Sequence, residues 1–309
     1  AIKLAEDGFA VNAALARSLN EVLQKYPQMA RLQKTYAPPE GRKQWSAGDR
    51  LIQGDLAGTL RVIADAGPEA FYEGPIADQI VAEMKAAGGV ISRADLASYR
   101  AKLREPVHGT YRGYDVFAAP LPTAGGVTLV QMLNMLEPYE LRREGRWSAR
   151  TLHVLIECMR RAYRDRAAYL GDPDFVEVPE HLTAKSYARE LSKSIDLAHA
   201  TPSAELAGPI LLSDEGDSTT HFSIIDKGGM AVANTYTLEQ SYGSKIVVRG
   251  AGFLLNNEMG DFNTRPGVTD HRGRIGTPPN LMAPGKRMLS SQAPTIVARD
   301  GRVVLVTGS

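Results

Sequence analysis

The order of two sequence textures constrains this chain most. Helical periodicity dominates its first 90 or so residues and strand-like runs dominate its last third, with no regular strand–helix alternation between them. In the stretch GDLAGTLRVIADAGPEAFYEGPIADQIVAEMKAAGG, Leu56, Leu60, Ile63 and Ala64 recur at 3.6-type spacing. Ile76, Ile80, Val81 and Met84 do the same before Gly88-Gly89, a C-terminal stop. Ser92 to Tyr99 reads as a short helix with Asp95 completing a capping box. From Arg104 the stretch TYRGYDVFAAP is β-rich, and PLPTAGG turns the chain into an apolar helix over Val127 to Leu136. Residues 151–170 predict an amphipathic helix with Leu152, Leu155, Ile156, Met159, Ala162 and Tyr163 on its buried face and a solvated Arg-rich side. Strand signals then follow in HFSIID, MAVANTYTL, SKIVVRGAGFLLNN and PTIVARDGRVVLVTG, with hairpin turns at Asp226 to Gly229 and at Asp300-Gly301. Helices first and an antiparallel sheet afterwards predict an α+β fold rather than a doubly wound parallel one.

Charge and composition exclude several functions. Lys and Arg number 36 against 35 Asp and Glu, for a net charge of +1. No basic cluster marks a nucleic-acid footprint. Cys158 is the single cysteine, too few for a disulfide or a Cys-rich metal site, and reads as a buried helix residue. No window reaches the eighteen apolar residues of a membrane span, and the start lacks the features of a signal peptide. Both ends read as cut within a longer pattern. The glycine pairs fall in neither GxGxxG nor Walker A spacing, and the six histidines form no HxxxH or HExxH pair. Neither a nucleotide cofactor nor a metal is expected, and there is no GxSxG elbow.

One chemistry remains. Ser218-Thr219-Thr220-His221-Phe222-Ser223 places hydroxyls at the head of a strand behind an acidic loop, SDEGDS. If the chain is cut before Thr219, the freed α-amine can serve as base for its own Oγ, so that one residue supplies nucleophile and base. Serine and threonine also suit a loop-to-strand junction for structural reasons alone, and the hexapeptide leaves both readings open.

The wider context narrows them. TTHFSIIDKGGMAVANTYTLEQSYGSKIVVRGAGFLLNNEMGDFNTRPG, KRMLSSQAPTIV and LVTGS resemble the small subunit of γ-glutamyltransferases, also called γ-glutamyl transpeptidases or glutathione hydrolases. AIKLAEDGF, LREPVHGTYRGYDVFAAPLPTAGG and YRDRAAYLGDPDF resemble the large subunit. The resemblance implies an N-terminal-nucleophile hydrolase with a four-layer αββα sandwich, without cofactor or metal. It implies autoproteolysis between Ser218 and Thr219, giving a large-subunit portion, 1–218, and a small-subunit portion, 219–309, that stay together as each other's partner. Thr219 would form a γ-glutamyl-enzyme from glutathione or another γ-glutamyl amide, and water or an amino-acid or dipeptide acceptor would resolve it.

The family motifs also imply roles for other residues. Thr237 would support the Thr219 hydroxyl. Arg104, Ser290 and Ser291 would bind the donor's α-carboxylate, and Asp261 and Glu239 its α-ammonium, with Arg112 structural. Glu239 stands where many members carry asparagine, and Gly260 where the common pattern has aspartate. The Pro- and Gly-rich segment from Arg265 to Lys286 matches a lid, and the family's oxyanion-hole glycine pair is expected just beyond Ser309. Bacterial members are periplasmic or secreted, which is the expected location. Two alternatives stay open: a cephalosporin-acylase-like hydrolase of glutaryl amides on the same scaffold, and a processing-dead homologue that only binds γ-glutamyl ligands.

Overall fold

A computed structural model describes residues 1–207, 219–263 and 277–309. They fall into two compact units, one made of residues 1–102 and 240–257, the other of 103–239 and 258–309.

The first unit is built mostly of helices: α1 (Ile2–Asp7), α2 (Ala13–Lys25), α3 (Ala30–Thr35), α4 (Gly54–Ala66), α5 (Glu69–Tyr72), α6 (Pro75–Ala87) and α7 (Arg93–Ser98). The strands β1 (Phe9–Ala10) and β2 (Arg50–Leu51) form one short antiparallel pair. The predicted punctuation appears as expected. Gly88 ends α6 in the left-handed region at φ 76°, and Ser92 and Asp95 make the capping box of α7. Leu19, Val22 and Leu32 bury their side chains around Trp45, whose indole N–H donates to the Tyr36 carbonyl at 2.8 Å. The downstream segment 240–257 completes both cores of this unit, with Val247 beside Trp45 and with Val248 and Ala251 beside Ile76 and Ile80. That segment corrects the strand expected over SKIVVRGAGFLLNN. A single bridge, Val247 to Leu254, is formed, because Gly250 and Gly252 turn the chain at φ 73° and 74°.

The second unit begins with β3 (Val107–Tyr111) and β4 (Tyr114–Ala118), and continues with α8 (Ala124–Leu136), α9 (Leu141–Glu144), α10 (Ala149–Tyr169), α11 (Lys185–Lys193) and α12 (Ser203–Ala207). Then come β5 (Thr219–Ile225), β6 (Ala231–Thr237), β7 (Thr295–Arg299) and β8 (Arg302–Thr307). An antiparallel sheet runs in the order β3-β4-β7-β8, and β5-β6 is a separate two-stranded ribbon lying against β7 and β8. Helix α8 lies on β3 and β4 and is flanked by α10 and α11. The α+β expectation holds. One helical layer and two sheets of the sandwich are present in this unit among the described residues.

Helix α10 also corrects an expectation. Its buried side carries Val154, Cys158 and Ala162 together with Glu157, Arg161 and Asp165, while Ile156 and Met159 are exposed. Arg161 is fully enclosed because Glu157 lies one turn away at 2.5 Å and further N–H groups donate to the Ser194 Oγ and carbonyl oxygen and to the Thr201 hydroxyl. Paired charges can be buried where lone ones cannot. Cys158 is buried as expected, and burial pushes its thiol up to about 12.

Candidate active site

The β5-β6 ribbon is a hairpin whose β-branched residues favour extended backbone and whose turn is closed by Asp226. The Asp226 carboxylate accepts the N–H groups of Gly228 and Met230, and Gly229 takes φ 89°. This turn sets a register in which Thr219 stands directly opposite Thr237, and His221 opposite Thr235. Period-2 alternation puts Thr219, His221 and Ser223 on the face shared with Thr235 and Thr237. Thr219 is exposed at the head of its strand. Its predecessor Ser218 lies outside the described residues, as do positions 264–276 of the expected lid.

His221 is a member of this face to which the sequence attached no role. Its Nδ1 lies 2.7 Å from the Thr235 hydroxyl and its Nε2 3.0 Å from that of Ser223. The ring packs so closely on Gly308 that a Cβ there would sit 2.4 Å from His221 Cε1. The glycine of the TGS motif therefore lets β8 approach the strand that carries Thr219.

At the far end of β6 the Thr237 hydroxyl accepts the N–H of Glu239 at 2.8 Å. Glu239 takes φ 72°, a strained conformation for a residue with a side chain, of the kind that concentrates at functional sites. Its carboxylate lies over Gly260, with Glu239 Cδ 3.7 Å from where a Cβ would stand. Gly260 belongs to a one-turn 3-10 helix, Glu258–Asp261, that presents two carboxylates. An aspartate at 260 would set a further anion beside Glu239, which gives the departure from the family pattern a physical sense. Glu258 is only 7% exposed. Burial first, then the charges of Asp261 and Glu239, push its carboxyl up to about 7. Thr219 thus connects to Thr237 by strand register, Thr237 to Glu239 by a hydrogen bond, and Glu239 to the turn that carries Asp261 and also Glu258. The only sequence signal for Glu258 was its position three residues before Asp261 in NNEMGDF.

Arg104, Ser290 and Ser291 lie in other surroundings. Arg104 Nη2 is 2.8 Å from Asp174 and 3.4 Å from the fully buried Asp172, so its fork is engaged by two carboxylates. Asp172 also accepts the Arg287 N–H at 2.8 Å, which ties the KRMLSS segment to the Arg104 loop. Ser290 pairs with the entry to α8: its carbonyl accepts from the Ala124 N–H and its own N–H donates to Pro122. This approach requires Gly125, where a Cβ would lie 2.1 Å from the Gln292 carbonyl oxygen. Ser291 is exposed, and its hydroxyl accepts from Arg166 of α10 at 2.8 Å. Arg112 is structural, as expected: it turns the chain between β3 and β4 at φ 51° and donates to Glu137 and Tyr139.

The sequence model described as Gamma-glutamyltranspeptidase matches residues 1–309. The chain belongs to the gamma-glutamyltranspeptidase family. It is 46% identical over 314 residues to the glutathione hydrolase proenzyme of Escherichia coli (strain K12), covering 100% of this chain and 53% of that one. Among solved structures it is similar to a cephalosporin acylase from Bacillus halodurans, with a TM-score of 0.81 at 27% identity over 99% of this chain and 53% of the other. It is also similar to Helicobacter pylori gamma-glutamyltranspeptidase, with a TM-score of 0.64 at 38% identity over 68% of this chain and 61% of the other. The chain spans about half the length of the curated relatives it matches. Of these two solved structures the acylase is similar at the lower identity.

Proposed function

We propose that the protein containing this chain is a self-cleaving γ-glutamyltransferase and glutathione hydrolase. Cleavage between Ser218 and Thr219 separates the portion 1–218 from the portion 219–309 and frees the Thr219 amine. That amine takes the proton of Thr219 Oγ as the oxygen attacks the γ-glutamyl carbonyl. The scissile C–N bond breaks, the proton passes to the leaving amine, and an ester on Thr219 remains. Water or the amine of an amino acid or dipeptide then attacks the ester carbonyl, the bond to Thr219 Oγ breaks, glutamate or a new γ-glutamyl amide leaves, and the attacking group's proton returns to Thr219 Oγ. Thr237, directly opposite, holds the nucleophile's surroundings in place. Asp261 and Glu239 receive the donor's α-ammonium, and Ser290 and Ser291 its α-carboxylate. Arg104 contributes to the carboxylate side in competition with Asp172 and Asp174. The periplasm or the exterior is the location that fits this family.

The observation that carries this reading is the pairing of Thr219 with Thr237, next to Glu239 and to a turn that adds the carboxyl groups of Glu258 and Asp261. A γ-glutamyl donor brings an ammonium to such a pocket, whereas a glutaryl chain brings none, so γ-glutamyl amides are favoured over the acylase substrate class. The test is intact mass spectrometry of the full-length protein and its Thr219→Ala variant, with turnover of γ-glutamyl and glutaryl p-nitroanilides. Two masses placing the cut before Thr219, and a single inactive chain in the variant, are expected. Normal turnover by the variant would overturn the assignment. Faster turnover of the glutaryl substrate would move it to the acylase class.

A further inference from the structure

Asn280 connects the segments that carry the two groups of proposed donor-binding residues, although the sequence attached no role to it beyond membership of the segment expected as a lid. It closes a one-turn 3-10 helix, Pro278–Asn280, and is 6% exposed. Its Nδ2 donates to the main-chain carbonyl of Asp261 at 2.6 Å, and its Oδ1 accepts the N–H of Leu289 at 3.0 Å. Its own carbonyl accepts the Asn263 N–H at 2.8 Å, so the amide side chain springs from backbone already fixed beside the Asp261 turn. One side-chain partner is a carbonyl and the other an N–H, which fixes the amide's orientation: exchanging O and N would break both bonds.

These partners matter because of what they carry. Asp261 ends the turn assigned to the donor's ammonium, and buried Leu289 immediately precedes Ser290 and Ser291, assigned to its carboxylate. An α-amino acid holds those two charges on one carbon, at a separation the ligand cannot adjust. The site must therefore hold their receptors at a matching distance, and misplacement of about 1 Å can cost about a hundredfold. Two hydrogen bonds through one short, buried side chain form a rigid link of this kind. We propose that Asn280 is a positioning residue that sets the gap between the ammonium-binding turn and the carboxylate-binding serines, and so selects donors bearing an intact α-amino acid. The proposal rests on the assignment of Asp261, Ser290 and Ser291 made above.

The test uses the full-length, cleaved protein and three variants at this position. Asn280→Ala removes both bonds, and Asn280→Asp keeps the acceptor for Leu289 but sets an oxygen against the Asp261 carbonyl. Asn280→Ser replaces the alanine variant should that one not fold. Donor KM and kcat are measured with γ-glutamyl-p-nitroanilide, with kcat normalised to the Thr219 that a stoichiometric acylating label captures. We expect KM to rise about tenfold or more in the alanine and aspartate variants, with a much smaller change in normalised kcat, the pattern of lost substrate binding. Discrimination against the glutaryl analogue should fall in parallel. A merely structural role would lower the melting temperature and the labelled fraction, yet leave the KM of the folded enzyme where it was. A KM within twofold of the parent in every folded variant would overturn the proposal. Asp261→Ala and Ser290→Ala are measured beside them. If these two leave KM unmoved, the site assignment fails; if they raise it and the Asn280 variants do not, the assignment stands and the role of Asn280 fails.

Discussion

At the scale of single residues the candidate site holds a carboxyl group whose charge the fold controls. It is that of Glu258, held at about 7 by burial and by the neighbouring anions Asp261 and Glu239. A carboxyl raised above its unfolded value favours the protonated form in the folded protein. Its contribution to stability is full below pH 4.5 and is lost as pH rises through about 7. Ligand binding has the opposite sense. An ammonium entering beside Glu258 favours the carboxylate, so donor binding should tighten as pH rises from 6 to 8 and should release a proton. Glu258→Gln is expected to flatten that part of the KM profile and to gain stability relative to the parent at pH 8. Donor KM against pH, together with thermal melts at pH 5 and pH 8, checks both signs; an unchanged KM profile in the variant would remove Glu258 from the donor pocket. Thr219, Thr237, Glu239 and Asp261 became candidates in the sequence because they stand at positions of family motifs, Glu239 in place of the asparagine of many members. His221 and Asn280 did not, because their contacts lie across a strand or on another segment, and Glu258 had no signal beyond its spacing from Asp261.

At the scale of elements, helix α10 shows what periodicity does and does not reveal. Its extent was legible, 151–170 expected against Ala149–Tyr169 observed, but its buried face was not. Hydrophobic spacing assumes that charge seeks solvent, and here Glu157, Arg161 and Asp165 face inward. Glu157 accepts from Arg160 at 2.5 Å, from Arg161 at 2.5 Å and from the Thr201 hydroxyl at 2.7 Å, so it pins residues 194–201 to the helix through the same network. Burial alone would raise the Glu157 carboxyl, but the hydrogen bonds of Thr201, Arg161 and Arg160 prevail and hold it at about 2. Because this value is depressed, the stabilisation is present above the unfolded value near 4.5 and is lost as pH falls toward 2. Removing one partner of a buried ion pair costs about 3–5 kcal/mol. Glu157→Gln should therefore lower the stability measured by urea unfolding at pH 7 by about that amount, and the gap should narrow as both proteins are taken below pH 4. The same limit on periodicity explains segment 240–257. Its alternating apolar residues resemble a strand, but Gly250 and Gly252 fold it into a turn that fills a helical core.

At the scale of the whole molecule, the α+β class followed from element order. Which strands pair did not, because nothing local records that β4 of the upstream portion meets β7 of the downstream portion, Val116 opposite Val297 and Ala118 opposite Thr295. That pairing has a consequence for the cleaved protein. The sheet β3-β4-β7-β8 is continuous across the two proposed chains, with two strands from each. The downstream chain also supplies Val247, Val248 and Ala251 to the cores of the other unit. Separating the chains would expose these buried side chains and unpair the carbonyl and N–H groups of β4 and β7, each of which is costly without a new partner. Cleavage before Thr219 should therefore leave the chains associated. After complete autoproteolysis, native mass spectrometry and size exclusion should report one species with the summed mass of both chains, while denaturing electrophoresis resolves two. Dissociation should coincide with loss of tryptophan fluorescence structure around Trp45, which packs beside Val247 of the downstream chain. Two chains eluting separately without denaturant would contradict a sheet shared between them.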